Sequence, residues 1–437
     1  RSVANHRIFT MRRGVVLPVV LLVGVSVLLS AAGLFALSAP AAERGWQRNQ
    51  LAQRQADIRS ALEVLRLHLG RQRETVLRGG VPELESSWIL RETEQGALIL
   101  RPVDADPSGL TSPLRAESGR LDLRVTPKEW WGRVDELAPF SAALTRARQA
   151  TSVRSLLQTE MSLEEFAQIE PLLTVHAEAP ELQMDGRQRL PLGGDWNSEI
   201  AARVAERFGQ VASDVLSDLS AKGQMPQDVG DLVRVLQSFD VPVPDWVEIL
   251  DAFSFGSEVA RGRVDLNTAP EAVLAAVPGI GSAAAEMVSV RSSLSEQERS
   301  TIVWPVLRGI LPAENFDQCA VYLTTRSFRW RVDFELGFMA DDEENFVSPP
   351  DRVRCVIDLG TPRPSLAAWR SLNLDATVQR LVMESIARDD EEEDDDAPRA
   401  RQPSRPRNRP RRGQPPASDP EPVGPLRAPA RSRPPNA

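Results

Sequence analysis

Residues 15–42 carry no charged side chain. An uncharged, largely apolar run of that length restricts what the start of the chain can form more than any other feature. Its apolar part, residues 15–39, would measure about 37 Å as a helix, enough for a hydrocarbon core with some tilt. Arg12 and Arg13 precede the run, whereas Glu43 and Arg44 follow it. This bias predicts a cytoplasmic N-terminus and places everything after residue 43 outside. A cleaved secretory signal is the alternative, and Ser38-Ala39-Pro40-Ala41-Ala42 imitates its cleavage site. Such signals have apolar regions of only about 7–15 residues, so length favours a transmembrane helix over 15–39.

Leu51, Ile58, Leu62, Leu65 and Leu69 follow at spacings that share one face of a helix. An apolar segment running straight into a long amphipathic helix is expected. The remaining composition excludes several classes. A net charge of −9 argues against general affinity for nucleic acid, which needs a basic surface. Two cysteines, Cys319 and Cys355, make neither a disulfide scaffold nor a cysteine-rich metal site. If exported they would meet an oxidising compartment, but Cys355 is expected to face residues around Arg331 to Leu336 rather than Cys319. The three histidines, His6, His68 and His176, are scattered and suggest no catalytic centre. Asp240, Asp245 and Asp251 read as solvated charges at loops and helix ends. The Asp389–Asp396 acidic run reads as a solvated tail rather than a metal site, and the Arg- and Pro-rich sequence after it as disordered.

Further elements can be placed from pattern. Trp88 to Leu90 and Ala97 to Leu100 predict short strands, and Glu117 to Val125 a turn and an alternating strand. Residues 130–173 are helical in character. Ile200, Val204, Phe208, Val211, Val215 and Leu219 predict one amphipathic helix, and Val229, Leu232, Val233 and Leu236 another. Residues 320–325 predict a strand. Phe328, Trp330, Val332, Phe334 and Leu336 alternate with charged residues, predicting a strand that covers a core on one face and meets water on the other. Residues 352–359 would return as its antiparallel partner.

The most informative motif is Val264-Asp265-Leu266-Asn267-Thr268-Ala269-Pro270, running into Val277-Pro278-Gly279-Ile280-Gly281 and then Ala284 to Arg291. It predicts a helix-hairpin-helix unit, with Asn267 or Thr268 capping the first helix and Gly279 and Gly281 forming the hairpin. In DNA-binding proteins of this kind the hairpin amides grip phosphate, usually with Lys or Arg just beyond. Here those positions are Ser282, Ala283, Ala284, Ala285 and Glu286, so nucleic acid is not the expected partner. A membrane-anchored DNA receptor of competence type is the second functional reading.

The first reading comes from a resemblance. Arg12-Arg13-Gly14-Val15-Val16-Leu17 resembles the processing site of type IV pilins and type II secretion pseudopilins. That resemblance implies prepilin peptidase cleavage between Gly14 and Val15 and methylation of Val15. At the fifth mature position, where most such subunits carry Glu, this chain has Val19. The minor pseudopilin K (GspK) family lacks that Glu, and its inserted domain looks like two helix-hairpin-helix units. Ser118-Gly119-Arg120-Leu121-Asp122-Leu123 is similar to the entry of the first unit, and Arg263 to Ala269 to that of the second. Residues 183–262 form a longer helical segment than the family usually has.

The resemblance implies an α+β fold. A leader (1–14) and a transmembrane helix (15–39) would lead into a pseudopilin helix with its first strands (40–125). An inserted helical domain with helix-hairpin-helix, SAM-like units (126–323) would follow, then return strands with a C-terminal helix (324–388) and a disordered tail (389–437). It further implies a non-enzymatic minor pseudopilin of a type II secretion system, in the inner membrane with its bulk in the periplasm. That subunit would initiate or cap the pseudopilus. Its partners would be other minor pseudopilins, the major pseudopilin and prepilin peptidase. No cofactor is expected from the residues. Calcium is implied by the family alone, with no ligand set assignable.

Overall fold

A stem helix, Val16–Arg71, opens the structure and runs unbroken for 56 residues. The computed structural model describes residues 16–94, 96–103, 113–158, 161–192, 196–256, 259–340 and 345–373. All of these lie in the first of two units, Arg1–Thr377; the second, Val378–Ala437, lies outside the described residues. So do Gly14 and Val15, the acidic run and the tail.

The chain is mixed helix and sheet, but the expected transmembrane helix must be corrected. Among the described residues no helix is long and apolar enough to cross a membrane. The apolar part of the stem whose side chains are described, residues 18–34, falls short of the about 20 residues that a hydrocarbon core requires. Beyond Glu43 the helix is rich in charge.

The second half of the stem packs on an antiparallel sheet. The strand order is Trp88–Thr93, Gly96–Pro102, Arg329–Met339, Asp351–Asp358, Ser365–Ser371. A further strand, Leu114–Ala116, continues the line of Gly96–Pro102 along the Arg329–Met339 strand. Ile58, Ala61, Leu62, Leu65 and Leu69 of the stem are buried against Leu98, Leu100, Trp330, Val332, Phe334, Leu336, Val353, Cys355 and Ile357. Each of the larger aliphatic and Phe side chains among them contributes about 1.5–3 kcal/mol by leaving water. Leu51 has the right spacing but is 57% exposed, so the packed face starts at Ile58.

The predicted water-facing side of the Arg329–Met339 strand is corrected too. Arg331, Asp333 and Glu335 are buried along with their apolar neighbours. Arg331 and Asp333 belong to an ion-pair layer with Glu117, Glu170 and Arg354.

Between Ala116 and Arg329 the chain builds a separate helical region around Trp131, Trp246, Trp304 and Phe316. The helix expected over residues 200–219 is two helices, Ser198–Phe208 and Gln210–Ala221. Gly209 joins them at φ +87°, which ends the first helix and leaves Val211 77% exposed. The extra helical segment closes on itself: Leu190–Pro191 pairs in parallel with Phe253–Ser254, and Glu178–Pro180 antiparallel with Val259–Arg261. Of the strand expected over 320–325, only Leu323–Thr324 forms, because Ala320 ends the short helix Asp317–Ala320.

Candidate functional site

The helical region contains the same hydrogen-bonded framework twice. Leu121–Asp122 pairs in parallel with Leu173–Thr174, and Val264–Asp265 with Leu323–Thr324. The Asp122 carbonyl accepts the amides of Val125 and Thr126 at 3.2 and 2.9 Å; the Asp265 carbonyl accepts those of Thr268 and Ala269 at 3.3 and 2.9 Å. Each aspartate side chain also accepts the amide two residues on, from Arg124 and from Asn267, both at 2.9 Å. The Leu123 and Leu266 amides donate to the Thr174 and Thr324 carbonyls, both at 2.9 Å. The turns correspond as well, with Leu137 N donating to Val134 O and Ile280 N to Val277 O. The first unit reaches this geometry with Asp135-Glu136-Leu137-Ala138 where the second has Pro278-Gly279-Ile280-Gly281.

In the second unit, helices Glu271–Ala276 and Ala283–Val290 flank the hairpin. Gly279 and Gly281 take φ +81° and +50°, the left-handed region that favours glycine. A Cβ on Gly279 would stand 3.3 Å from Gln318 Cβ, so the hairpin rests against the Asp317–Ala320 helix. Ser282, Ala285 and Glu286, just beyond it, are exposed, and they bring a carboxylate rather than a cation. Arg291 is turned inward and donates from Nη2 to the Ala269 carbonyl at 2.5 Å. This electrostatic setting does not suit a phosphate backbone.

Neither Asn267 nor Thr268 caps the first helix, whose N-cap is Pro270 with no side-chain cap. Thr268 Oγ1 donates to Asp265 Oδ2 at 2.9 Å. Asn267 Nδ2 donates to the carbonyls of Gly79, Arg299 and Thr325 at 2.9, 2.8 and 3.2 Å. It therefore ties the segment after the stem to the second unit and to the return toward the sheet. Local sequence cannot distinguish this role from capping, because both use an Asn ahead of a helix.

Asp265 is buried, and burial pushes its carboxyl up to about 6, against the opposing pull of the Asn267 amide, the Thr268 hydroxyl and Arg291. The folded state therefore holds this proton at pH values where the unfolded chain has lost it. The resulting contribution to stability is full below the ordinary aspartate range and is lost as pH rises through about 6. Asp265→Asn is expected to remove that decline, measured as thermal unfolding from pH 4 to 8. An unchanged slope in the variant would assign the decline to another group.

Cys319 and Cys355 are free and buried in separate apolar clusters, one in the helical region and one under the sheet. Burial pushes both thiols up to about 12. Cys355 stands opposite Val332 in the strand register. Asp251 does not behave as a free surface charge: it pairs with Arg326 at 2.7 Å and Arg189 at 3.6 Å. Among the described residues no group of three or more His, Cys, Asp or Glu is placed to hold a metal ion.

The charged layer between sheet and first unit escaped the sequence reading. Glu170 Oε1 accepts from Arg331 Nη1 at 2.6 Å and from Arg354 Nη1 at 2.5 Å. Asp333 accepts from Arg354 through both oxygens, at 2.6 and 2.8 Å. Glu117 accepts from Thr174 Oγ1 and lies 3.5 Å from Arg120 and 3.7 Å from Arg331. These arginines hold the Glu170 carboxyl well below the usual carboxylate range in spite of its burial. No family model matches the chain, and neither a curated protein nor a solved structure matches it significantly.

Proposed function

We propose that this chain is a minor pseudopilin of the K type, a non-enzymatic subunit at the tip of a type II secretion pseudopilus. The observation that carries this reading is the body plan. A long N-terminal helix lies on an antiparallel sheet, with a twice-repeated helical region inserted between the sheet's strands. The start of the stem supports it. Val19, Val20, Leu21, Leu22, Leu28, Leu29 and Leu34 are all more than half exposed in the isolated chain. An apolar helix surface of that extent needs an apolar neighbour, and the matching helices of other minor pseudopilins and of the major pseudopilin would supply one.

On this reading the helical insertion is too bulky for another subunit to be added above it. Val19, where a filament subunit would carry an acid to pair with the neighbour above, suits a position with no such neighbour. The inner-membrane location, with the bulk in the periplasm, belongs to the same proposal, as do the roles of Gly14 and Val15. Calcium enters through the resemblance alone.

The test is mass spectrometry of the N-terminus of protein purified from cells that contain prepilin peptidase. A chain beginning at methylated Val15 is expected. An intact Arg12-Arg13-Gly14 would overturn the proposal.

A further inference from the structure

His68 is half-buried on the stem helix, beside residues 83–88, which lead the chain into the edge strand Trp88–Thr93. Its Nε2 lies 2.9 Å from the Glu83 carbonyl oxygen. Gln72, one turn along the stem, donates from Nε2 to the same oxygen at 2.7 Å and stands 3.0 Å from His68 Nε2. The Glu83 amide donates to Gln72 Oε1 at 2.7 Å, which fixes the orientation of the Gln72 amide. A carbonyl oxygen only accepts, so Nε2 carries its hydrogen in both charge states of the ring. The proton that comes and goes with pH is therefore the one on Nδ1.

Nδ1 faces a carboxylate, with Glu85 Oε1 3.8 Å away. When Nδ1 is bare, two acceptors oppose each other. When it is protonated, they become an ion pair. The other charged side chains on the elements packed against the ring are Arg71 on the stem, Glu83 on the segment, and Arg91 and Glu92 on the strand. Arg91 pairs with Asp57 at 3.4 Å, further back along the stem. Among the described residues, Glu85 is the one carboxylate within 4 Å of the ring nitrogens. Trp88, the first residue of the edge strand, meets the His68 ring at a steep angle with centroids 5.2 Å apart. One imidazole thus touches the segment at three points, Glu83, Glu85 and Trp88, and only the contact with Glu85 changes with the charge of the ring.

We propose that His68 is a pH-sensitive latch: protonation of Nδ1 draws in Glu85 and fastens residues 83–88, and with them the start of the edge strand, to the stem. At higher pH the ring's hydrogen bonding to the segment is to Glu83 alone. Glu85 is 62% exposed, so the gain is that of a surface ion pair. It acts on local opening of one segment rather than on global unfolding. The latch goes beyond the filament role and does not depend on it.

The test is amide hydrogen exchange of the full chain in detergent, read by mass spectrometry at about pH 5.5 and about pH 8, either side of the usual imidazole range, with intrinsic rates corrected for pH. Residues 84–93 are expected to gain protection by about two- to fivefold at the lower pH, the factor that one exposed ion pair supplies. The central strand Arg329–Met339 serves as the internal reference and should not share the gain. His68→Gln keeps an amide donor for the Glu83 carbonyl but cannot titrate, and Glu85→Gln removes the charge. Each should abolish the gain, with circular dichroism confirming the fold of both. Equal protection of the wild type at the two pH values, an equal gain in the central strand, or a gain that survives in either variant would overturn the proposal.

Discussion

Glu170→Gln is expected to lower the unfolding free energy by about 3–5 kcal/mol, the cost of removing one partner from a buried ion-pair network. Glu170 occupies the one-turn segment Glu170–Leu172, directly after the helix Leu163–Ile169. That helix is fixed at its start by a capping box between Ser162 and Glu165, so the carboxylate is delivered to the sheet by a constrained element. One oxygen then accepts from two guanidiniums on adjacent strands, Arg331 and Arg354. Glutamine keeps the shape and removes the charge, leaving the arginine pairs at Arg115–Arg331 and Arg354–Arg370 with less to oppose their repulsion.

The same network fixes the sign of an acid effect. The carboxyls of Glu170 and Glu117 are held below their ordinary range, chiefly by Arg331 and Arg354 for the first and by Arg120 and Arg331 for the second. Their stabilisation is therefore present above the unfolded carboxylate pKa and is lost as pH falls below it. Urea unfolding of wild type and Glu170→Gln should show the full gap near neutral pH and a shrinking gap below about pH 4. A gap below about 1 kcal/mol at neutral pH would mean that the pairs behave as solvated surface charges.

How far this was legible in the sequence differs from element to element. Ile58, Leu62, Leu65 and Leu69 announced the packed face of the stem by their spacing. Leu51 shared the spacing but lies where the sheet gives it nothing to cover. The apolar side of Phe328 to Leu336 was equally legible. Its other side was not, because Arg331 and Asp333 read the same whether they meet water or the acids and arginines of distant segments. Glu117 and Glu170 become their neighbours only through the parallel pairing of Leu121–Asp122 with Leu173–Thr174. The apolar period over residues 200–219 carried through Gly209, although the backbone there breaks to a positive φ. The repeated units were visible in Leu121-Asp122-Leu123 and Val264-Asp265-Leu266, each with a Pro four residues on. Their hairpins were not comparable by eye, since the first lacks both glycines. In Asn267 a local role was expected where the side chain has a tertiary one.

Asn267→Ala is expected to cost about 2–4 kcal/mol, because it leaves more than one buried carbonyl without a donor. The amide has two hydrogens for the carbonyls of Gly79, Arg299 and Thr325, so at least one hydrogen is shared. No neighbouring group can easily replace it. Gly79 is held at φ +74°, and a Cβ there would overlap the Arg299 carbonyl, so the two backbones already approach as closely as glycine allows. Water could enter the space left by alanine only if these segments moved apart, which would also loosen the second unit from the stem. Asn267→Asp separates lost hydrogen bonding from lost volume. Its carboxylate keeps the size but turns an oxygen toward three carbonyl oxygens, so at neutral pH it should destabilise more than alanine, by about 3–5 kcal/mol. Protonation restores one donor, so the aspartate variant should recover part of the loss as pH falls, whereas the alanine variant should not. Urea unfolding of both at two pH values measures this. If the aspartate variant proves the more stable at neutral pH, the Nδ2 contacts do not hold the stem to the insertion.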